Sequence, residues 1–285
     1  MRIAIGVDWS DQTFTAVTQT FQLYHPADVT LVHGVNLGFF EQPIIAEAAN
    51  LQGYNDFRHA MVDAGRQLLD RTAAMIPSDV KTVRKINEIG SPAQVILDSA
   101  QTVSADLVVV GARGRSRVAE TVLGSVSHRV LSHGSRSTLI VKGQARPIQR
   151  VLVAVEGHDD ADRILQWLTR HQFAAPVELC VLNVVVPIGL DSPYDALGAR
   201  AWQEDAVSYA EEFVKETASK LLDSQYTVST KVAVGNPAGV VEEMAHNADL
   251  VVVASHGRKG LARFLLGSVS HAIVHHVSCP VLVIR

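Results

Sequence analysis

A chain of 285 residues writes Gly-Ser-Val-Ser-His twice, at 124–128 and again at 267–271. Each copy stands ten residues after another glycine, Gly114 in one case and Gly257 in the other. The repetition extends along the chain. Asn-Glu-Ile-Gly90-Ser-Pro92-Ala answers to Val-Ala-Val-Gly235-Asn-Pro237-Ala. Ala105-Asp106-Leu-Val-Val-Val answers to Ala248-Asp249-Leu-Val-Val-Val, and the apolar run 3–7 answers to 151–155. The offset is 143 residues at the later motifs and 148 at the first runs, so only loop lengths differ. A tandem duplication of this kind requires a fold that each half can build with its own core. Length agrees, since about 150 residues per domain predicts two. The halves divide at 1–143 and 148–285, across Gly143-Gln-Ala-Arg-Pro147, a linker rich in chain breakers.

Within the first half, short Val/Ile-rich runs occupy 3–7, 29–35, 81–89, 106–111 and 138–142. Continuous apolar runs of this length fit strands buried on both faces. Helical patterns lie between them. Ser10 or Asp11 is placed to cap a helix through Phe14, Val17 and Phe21. Residues 56–76 put Phe57, Ala60, Met61, Ala64, Leu68, Leu69 and Met75 near one face. Pro92 opens another helix, as proline does at a first helical position. Alternation of strand and helix predicts a five-stranded parallel sheet with helices on both faces, built twice: a Rossmann-like α/β fold in two tandem domains.

The chemistry concentrates after the fourth strand. Val110 is followed by Gly111-Ala-Arg113-Gly114, nine further residues, then Gly124-Ser125. Gly111 lets the chain turn off the strand, with a positive φ among its options. Gly114 lets backbone approach a ligand with no Cβ between them. Gly124-Ser125 opens a helix from Val126, whose unpaired N–H groups and dipole favour an anion. The Ser125 hydroxyl is fit to cap the helix or bond a phosphate oxygen, and Arg113, Arg115 and Arg117 add positive charge. A loop after a strand's C-terminal end is where open α/β sheets hold ligands. The P-loop pattern GxxxxGK[ST] and a GxGxxG after the first strand are both missing.

The spacing G-2x-G-9x-G-S, after a strand ending DLVVVG and before an apolar helix and a closing LIV strand, resembles the universal stress protein family, over nearly the whole chain and twice. The resemblance implies the adenine nucleotide alpha hydrolase-like version of this fold. It also implies a regulatory stress-response protein that binds ATP, or ADP or AMP, with Mg accompanying the phosphates. Position by position, Gly111, Gly114, Gly124, Ser125 and Val126 match the family's phosphate and ribose loop. Asp8 matches its nucleotide-side aspartate, fit for a ribose hydroxyl or a phosphate-held metal. Gly34 matches the position whose backbone meets the adenine edge.

In the second half Gly257, Gly267, Ser268 and Val269 keep the pattern, and Val184 takes the adenine-edge place. Ala254 stands in place of Gly111, and Glu156 in place of Asp8. The second site is therefore expected to bind more weakly. Family members commonly dimerise through the last strand. The matching strands 138–141 and 281–284 belong to one chain here, which implies an internal pseudo-dimer open to further self-association.

Other chemistry finds less support. Twenty-five Lys and Arg against 29 Asp and Glu give a net charge of −4, without the basic stripe expected of a nucleic-acid partner. Cys180 and Cys279 sit in or beside apolar runs and read as small hydrophobes, not a redox pair. His271 and His275 are four apart on a helix, but a zinc pair needs a third ligand, so no metal site is assigned. Neither a GxSxG elbow nor the SGGxDS and HxGH signatures of adenylate-forming and nucleotidyl-transferring enzymes occur. Slow ATP hydrolysis is the most that is expected, and a signalling dimer without nucleotide is the alternative. The N-terminus reaches an acidic residue too soon for a signal peptide, and no apolar run approaches ~18 residues, so a cytoplasmic protein with no membrane partner is expected.

Overall fold

The computed structural model describes residues 1–38, 52–114, 123–187, 196–221, 225–255 and 266–285. The chain divides into two compact units, Met1–Ala145 and Arg146–Arg285. Unit 1 runs β1 (Arg2–Gly6), α1 (Asp11–Leu23), β2 (Asp28–Val35), α2 (Gln52–Ala73), β3 (Thr82–Ile89), α3 (Pro92–Thr102), β4 (Leu107–Gly111), α4 (Ser125–His133) and β5 (Ser137–Val141). Its strands lie in the order β3-β2-β1-β4-β5 and every pair is parallel. Right-handed crossovers place α1 and α2 on one face of such a sheet and α3 and α4 on the other. The apolar runs become the core: Ile5, Leu31, Leu107 and Leu139 are wholly buried.

Unit 2 repeats the pattern with β6 (Arg150–Ala154), α5 (His158–Arg170), β7 (Glu178–Val185), α6 (Ala196–Ser219), β8 (Thr227–Val234), α7 (Pro237–Ala245), β9 (Leu250–Ala254), α8 (Ser268–His276) and β10 (Val281–Ile284). Its order is β8-β7-β6-β9-β10, again wholly parallel. The repeated aspartate before each Leu-Val-Val-Val run has a structural role. The Asp106 carboxylate accepts the Arg2 N–H at 2.7 Å, while Asp249 accepts those of Gln149 and Arg150 at 3.0 and 2.9 Å. Each fastens the start of the fourth strand of its unit to the start of the first.

The order reverses between β1 and β4. At that point the connections from β1 and β4 leave towards opposite faces of the sheet and bound a crevice, the position where open sheets place ligands. β3 closes the far edge of unit 1 with Arg84 and Lys85 exposed, and β8 does so in unit 2 with Lys231 exposed. Cationic edges resist pairing with stray strands.

Some local expectations change. Ser10 is the N-cap of α1 by backbone angle, yet its side chain makes no cap bond and turns to Asp8 instead. Leu68 and Leu69 on α2 are buried, whereas Phe57 near its start is 45% exposed, and Met75, expected on the same face, lies beyond its end at 39% exposed. Cys279 is buried and Cys180 partly so; burial pushes the Cys180 thiol up, against the Ser229 hydrogen bond and the Lys231 charge. Among the described residues no helix is long and apolar enough to cross a membrane.

Candidate functional site

A cleft of about 360 Å³ opens at the strand-order reversal of unit 1. That volume lies in the range of small-molecule sites. One wall is the end of β1. Asp8 follows the strand, and its Oδ1 accepts hydrogen bonds from Ser10 N at 3.0 Å, from Thr13 Oγ1 at 2.9 Å and from the Ser10 hydroxyl. Thr13 Oγ1 in turn accepts the Asp8 N–H at 2.8 Å. Three donors on one oxygen hold the carboxylate in a single orientation, with Oδ2 towards Gly114: a Cβ on that glycine would fall 2.5 Å from it.

The opposite wall is the loop after β4. Ala112 N donates to Val141 O at 2.7 Å, and Gly124 N donates to Ala112 O at 2.8 Å. The second bond closes the loop on itself. A Cβ on Gly124 would lie 3.3 Å from Ala112 O, 3.5 Å from Arg113 Cα and 3.6 Å from Gly114 N. Two glycines ten residues apart therefore meet, which accounts for their spacing in unit 1. Ser127 Oγ donates to Gly111 O at 2.6 Å and fastens the first turn of α4 to the end of β4. His128 N is the first donor of α4 with an intrahelical acceptor, Gly124 O at 2.8 Å. The amides of Ser125, Val126 and Ser127 thus form the open, electropositive end of the helix. Arg113 lines the cleft beside them.

The third wall is apolar: Gly34 and Val35 from β2, Met61 from α2, and Pro92 and Ile96 from α3. Gly34 is required here by its neighbour, because a Cβ would stand 2.5 Å from Pro92 Cα. His33, one residue earlier, is buried, and its Nδ1 lies 2.7 Å from Val7 O. A carbonyl only accepts, so Nδ1 carries the hydrogen. The bond holds the turn leading into Asp8 against β2. Together the three walls offer an anion seat, a fixed carboxylate against Gly114 beside it and an apolar crease.

Asp8, Gly34, Gly111, Arg113, Gly114, Gly124, Ser125 and Val126 all line this one cleft. Two details of the expected geometry are corrected. Gly111 has no positive φ; among the described glycines only Gly90 and Gly143 do. Its constraint is crowding, since a Cβ would lie 2.8 Å from Gln12 Cβ. Ser125 does not cap α4. Gly124 is the N-cap and Ser125 the first helical residue, its side chain exposed. Ser10, Thr13, His33 and Ser127 were not among the expected site residues. Ser127 alone carried a visible signal, as the second serine of the repeated Gly-Ser-Val-Ser-His.

In unit 2, Gly267, Ser268 and Val269 open α8 in the same way. Gly267 N donates to Ser255 O at 2.7 Å, and Ser270 Oγ donates to Ala254 O at 2.7 Å. Gly257, like Arg115 and Arg117, lies outside the described residues. Asn183 takes the place of His33, its Nδ2 donating to Val155 O at 2.8 Å. The rim is nevertheless bulkier. Ala154, Val184 and Ala254 stand where unit 1 has Gly6, Gly34 and Gly111, all of which line the cleft. The sequence changes alongside: a Cβ on Gly6 would lie 2.6 Å from Ile96 Cδ1, and unit 2, with Ala154 in place of Gly6, has the shorter Val241 in place of Ile96. Glu156, in the place of Asp8, is exposed, and buried Asp160 accepts its N–H at 2.7 Å. On α8 the rings of His271 and His275 lie 4.3 Å apart.

Comparison with known proteins agrees with this architecture. The family model described as "Universal stress protein family" matches twice, at residues 1–142 and 147–285. A universal stress protein of Mycolicibacterium smegmatis is 29% identical over 99% of this chain and 96% of its own length. One of Mycobacterium tuberculosis is 26% identical over the same shares of the two chains. Among solved structures, a universal stress protein from Archaeoglobus fulgidus superposes with a TM-score of 0.64 at 18% identity, covering 99% of this chain and 98% of that one. With its family model matched in each half, and its sheet order repeated in each unit, the chain belongs to the universal stress protein family as a tandem member.

Proposed function

We propose that unit 1 binds an adenine nucleotide, ATP or its relatives ADP and AMP, and that the protein acts as a nucleotide-binding regulator in a stress response. The observation that carries this reading is the convergence of Asp8, Gly114 and Gly124 on one cleft, with an open helix end on one side and an apolar crease on the other. In this arrangement the phosphates face the amides of Ser125 and Val126 with Arg113 alongside. The ribose or a phosphate-held Mg faces Asp8, and the base lies against Gly34, Met61 and Pro92. The internal pseudo-dimer and further self-association belong to this proposal on the strength of the family resemblance alone, and a cytoplasmic location on the sequence pattern alone.

Gly114→Ala is the direct test. Its Cβ would press on Asp8 Oδ2, and three hydrogen bonds hold that carboxylate in place. Equilibrium binding of labelled ATP to the full chain is expected to weaken by about tenfold, a loss of ~1.4 kcal/mol. Unchanged affinity would remove Gly114 and the loop from the binding site.

The bulkier rim of unit 2 extends the proposal to an asymmetric protein. Three cleft glycines of unit 1 become Ala154, Val184 and Ala254, so unit 2 is expected to hold nucleotide more weakly. Calorimetric titration with ATP should resolve one strong site per chain, at least about tenfold tighter than any second. Two equal sites would contradict it.

A further inference from the structure

A second cavity of unit 1 shares no lining residue with the first. It lies between α3 and α4, measures about 670 Å³, and reaches the start of β5. Arg129 and His133 project into it from α4 and Arg136 from the loop that follows. Ala93, Leu97, Ala100 and Val108 supply apolar walls, and Gln94, Asp98 and Gln101 a polar rim. Among the described residues neither Arg129 nor Arg136 has an ion-pair partner. Asp98 accepts a hydrogen bond from Gln94 at 2.8 Å. Arg136 Nε is shut off from solvent and has no hydrogen-bond partner. A buried guanidinium donor left unpaired is destabilising, and native structures rarely keep one without a use.

The duplication supplies an internal control. Unit 2 has Glu243 for Asp98 and His276 for His133, but Glu242 for Leu97, Ala272 for Arg129 and Cys279 for Arg136. Cys279 is buried, so packing at this place is satisfied by a small side chain. The two arginines therefore exceed what the fold demands, and they are confined to the unit whose cavity they line.

We propose that this cavity binds a small organic anion, its carboxylate or phosphate group held by Arg129 and Arg136 and its body lying on Leu97 and Val108. Arginine presents planar, paired donors that match either oxyanion. The volume suits a small ligand and not a protein segment. Occupation would give Arg136 Nε its missing acceptor. It would also couple α3, which carries Pro92 and Ile96 of the first cleft, to the helix α4 whose N-terminus faces that cleft.

The test uses the full chain, with the Nε–Hε resonances of its arginines followed by NMR at low salt. Arg136 is assigned by its loss in Arg136→Lys, which keeps the charge and most of the packing. Malonate and inorganic phosphate are titrated separately to tell carboxylate from phosphate recognition. The Arg136 resonance is expected to shift saturably with at least one of them, and Arg129→Ala, a change at an exposed position, to weaken that binding about tenfold. Nucleotide-cleft binding of phosphate is separated by repeating the titration in Gly124→Asp, where the Arg136 shift should persist. Absence of a saturable shift with either anion, equal affinity in Arg129→Ala, or loss of the shift in Gly124→Asp would overturn the proposal.

Discussion

Gly124→Asp is expected to lower the affinity of unit 1 for ATP by about a hundredfold or more while leaving the unit folded and at least as stable as before. The two halves of that expectation come from different physics. Gly124 is the N-cap of α4 at φ −65° and ψ 154°, angles open to any L-residue. A Cβ there meets Ala112 O at 3.3 Å, which asks the loop to give by a few tenths of an ångström. Aspartate is among the favoured N-caps, and its carboxylate can accept the amide of the second or third helical residue. Those are the amides of Val126 and Ser127, the donors proposed to face phosphate. The substitution therefore occupies the seat and brings a negative charge to it. Two unit charges ~4 Å apart at an effective dielectric of ~20 repel by about 4 kcal/mol, ample for a hundredfold loss. Labelled-ATP binding and a denaturation curve on the same preparation separate the two effects. An affinity within about threefold of the parent would place the phosphates elsewhere; a lost transition would mean the cap had failed, contrary to the geometry.

How much of this was legible in the sequence depends on whether the reason for a residue was local. The duplication and a parallel sheet with helices on both faces follow from spacing and alternation, whereas the strand order and the meeting of Gly114 with Gly124 emerge only from the folded chain. Asp8, Gly34 and Gly111 were visible as positions, but the reasons for the last two were not. Gly34 is small because Pro92, fifty-eight residues later, lays its backbone against it, and Gly111 because Gln12 does so with its side chain. Such constraints arise between elements distant in the chain and leave no periodic trace. Ser10 shows the opposite failure. Its place before α1 is the place of a cap, yet Asp8 two residues earlier offers a charged acceptor and takes the hydroxyl. Phe57 fits the helical period of α2 but lies 45% exposed, because periodicity specifies a direction around the helix and not how far along it the sheet extends.

The same distinction makes unit 2 more than a degraded copy. Where unit 1 fixes the turn after its first strand with Thr13 and Asp8, unit 2 uses Asp160, a 5% exposed carboxylate at the third position of α5. Asp160 Oδ2 accepts the Glu156 N–H at 2.7 Å and Oδ1 the Gly157 N–H at 2.7 Å. Charge-assisted bonds of that length are stronger than neutral ones, and the first turn of a helix adds a favourable dipole. Asp160→Ala leaves both amides, part-buried in the turn, without their protein acceptors. The expected cost is about 2–3 kcal/mol in unit 2. The Glu156 N–H lies nearer the surface and regains part of its loss from water, which keeps the figure below the sum for two fully buried donors. Asp160→Asn should recover little, because its single acceptor serves one N–H and its amide group confronts the other. Hydrogen exchange is the appropriate measure, since it reads each unit separately. Amides of β6 and the first turns of α5 should lose protection by about thirty- to a hundredfold, while those of β1 and β2 in unit 1 keep theirs. Equal protection in variant and parent would mean that the carboxylate contributes packing alone, and that the turn carrying Glu156 is held by Asn183 and its bond to Val155 O.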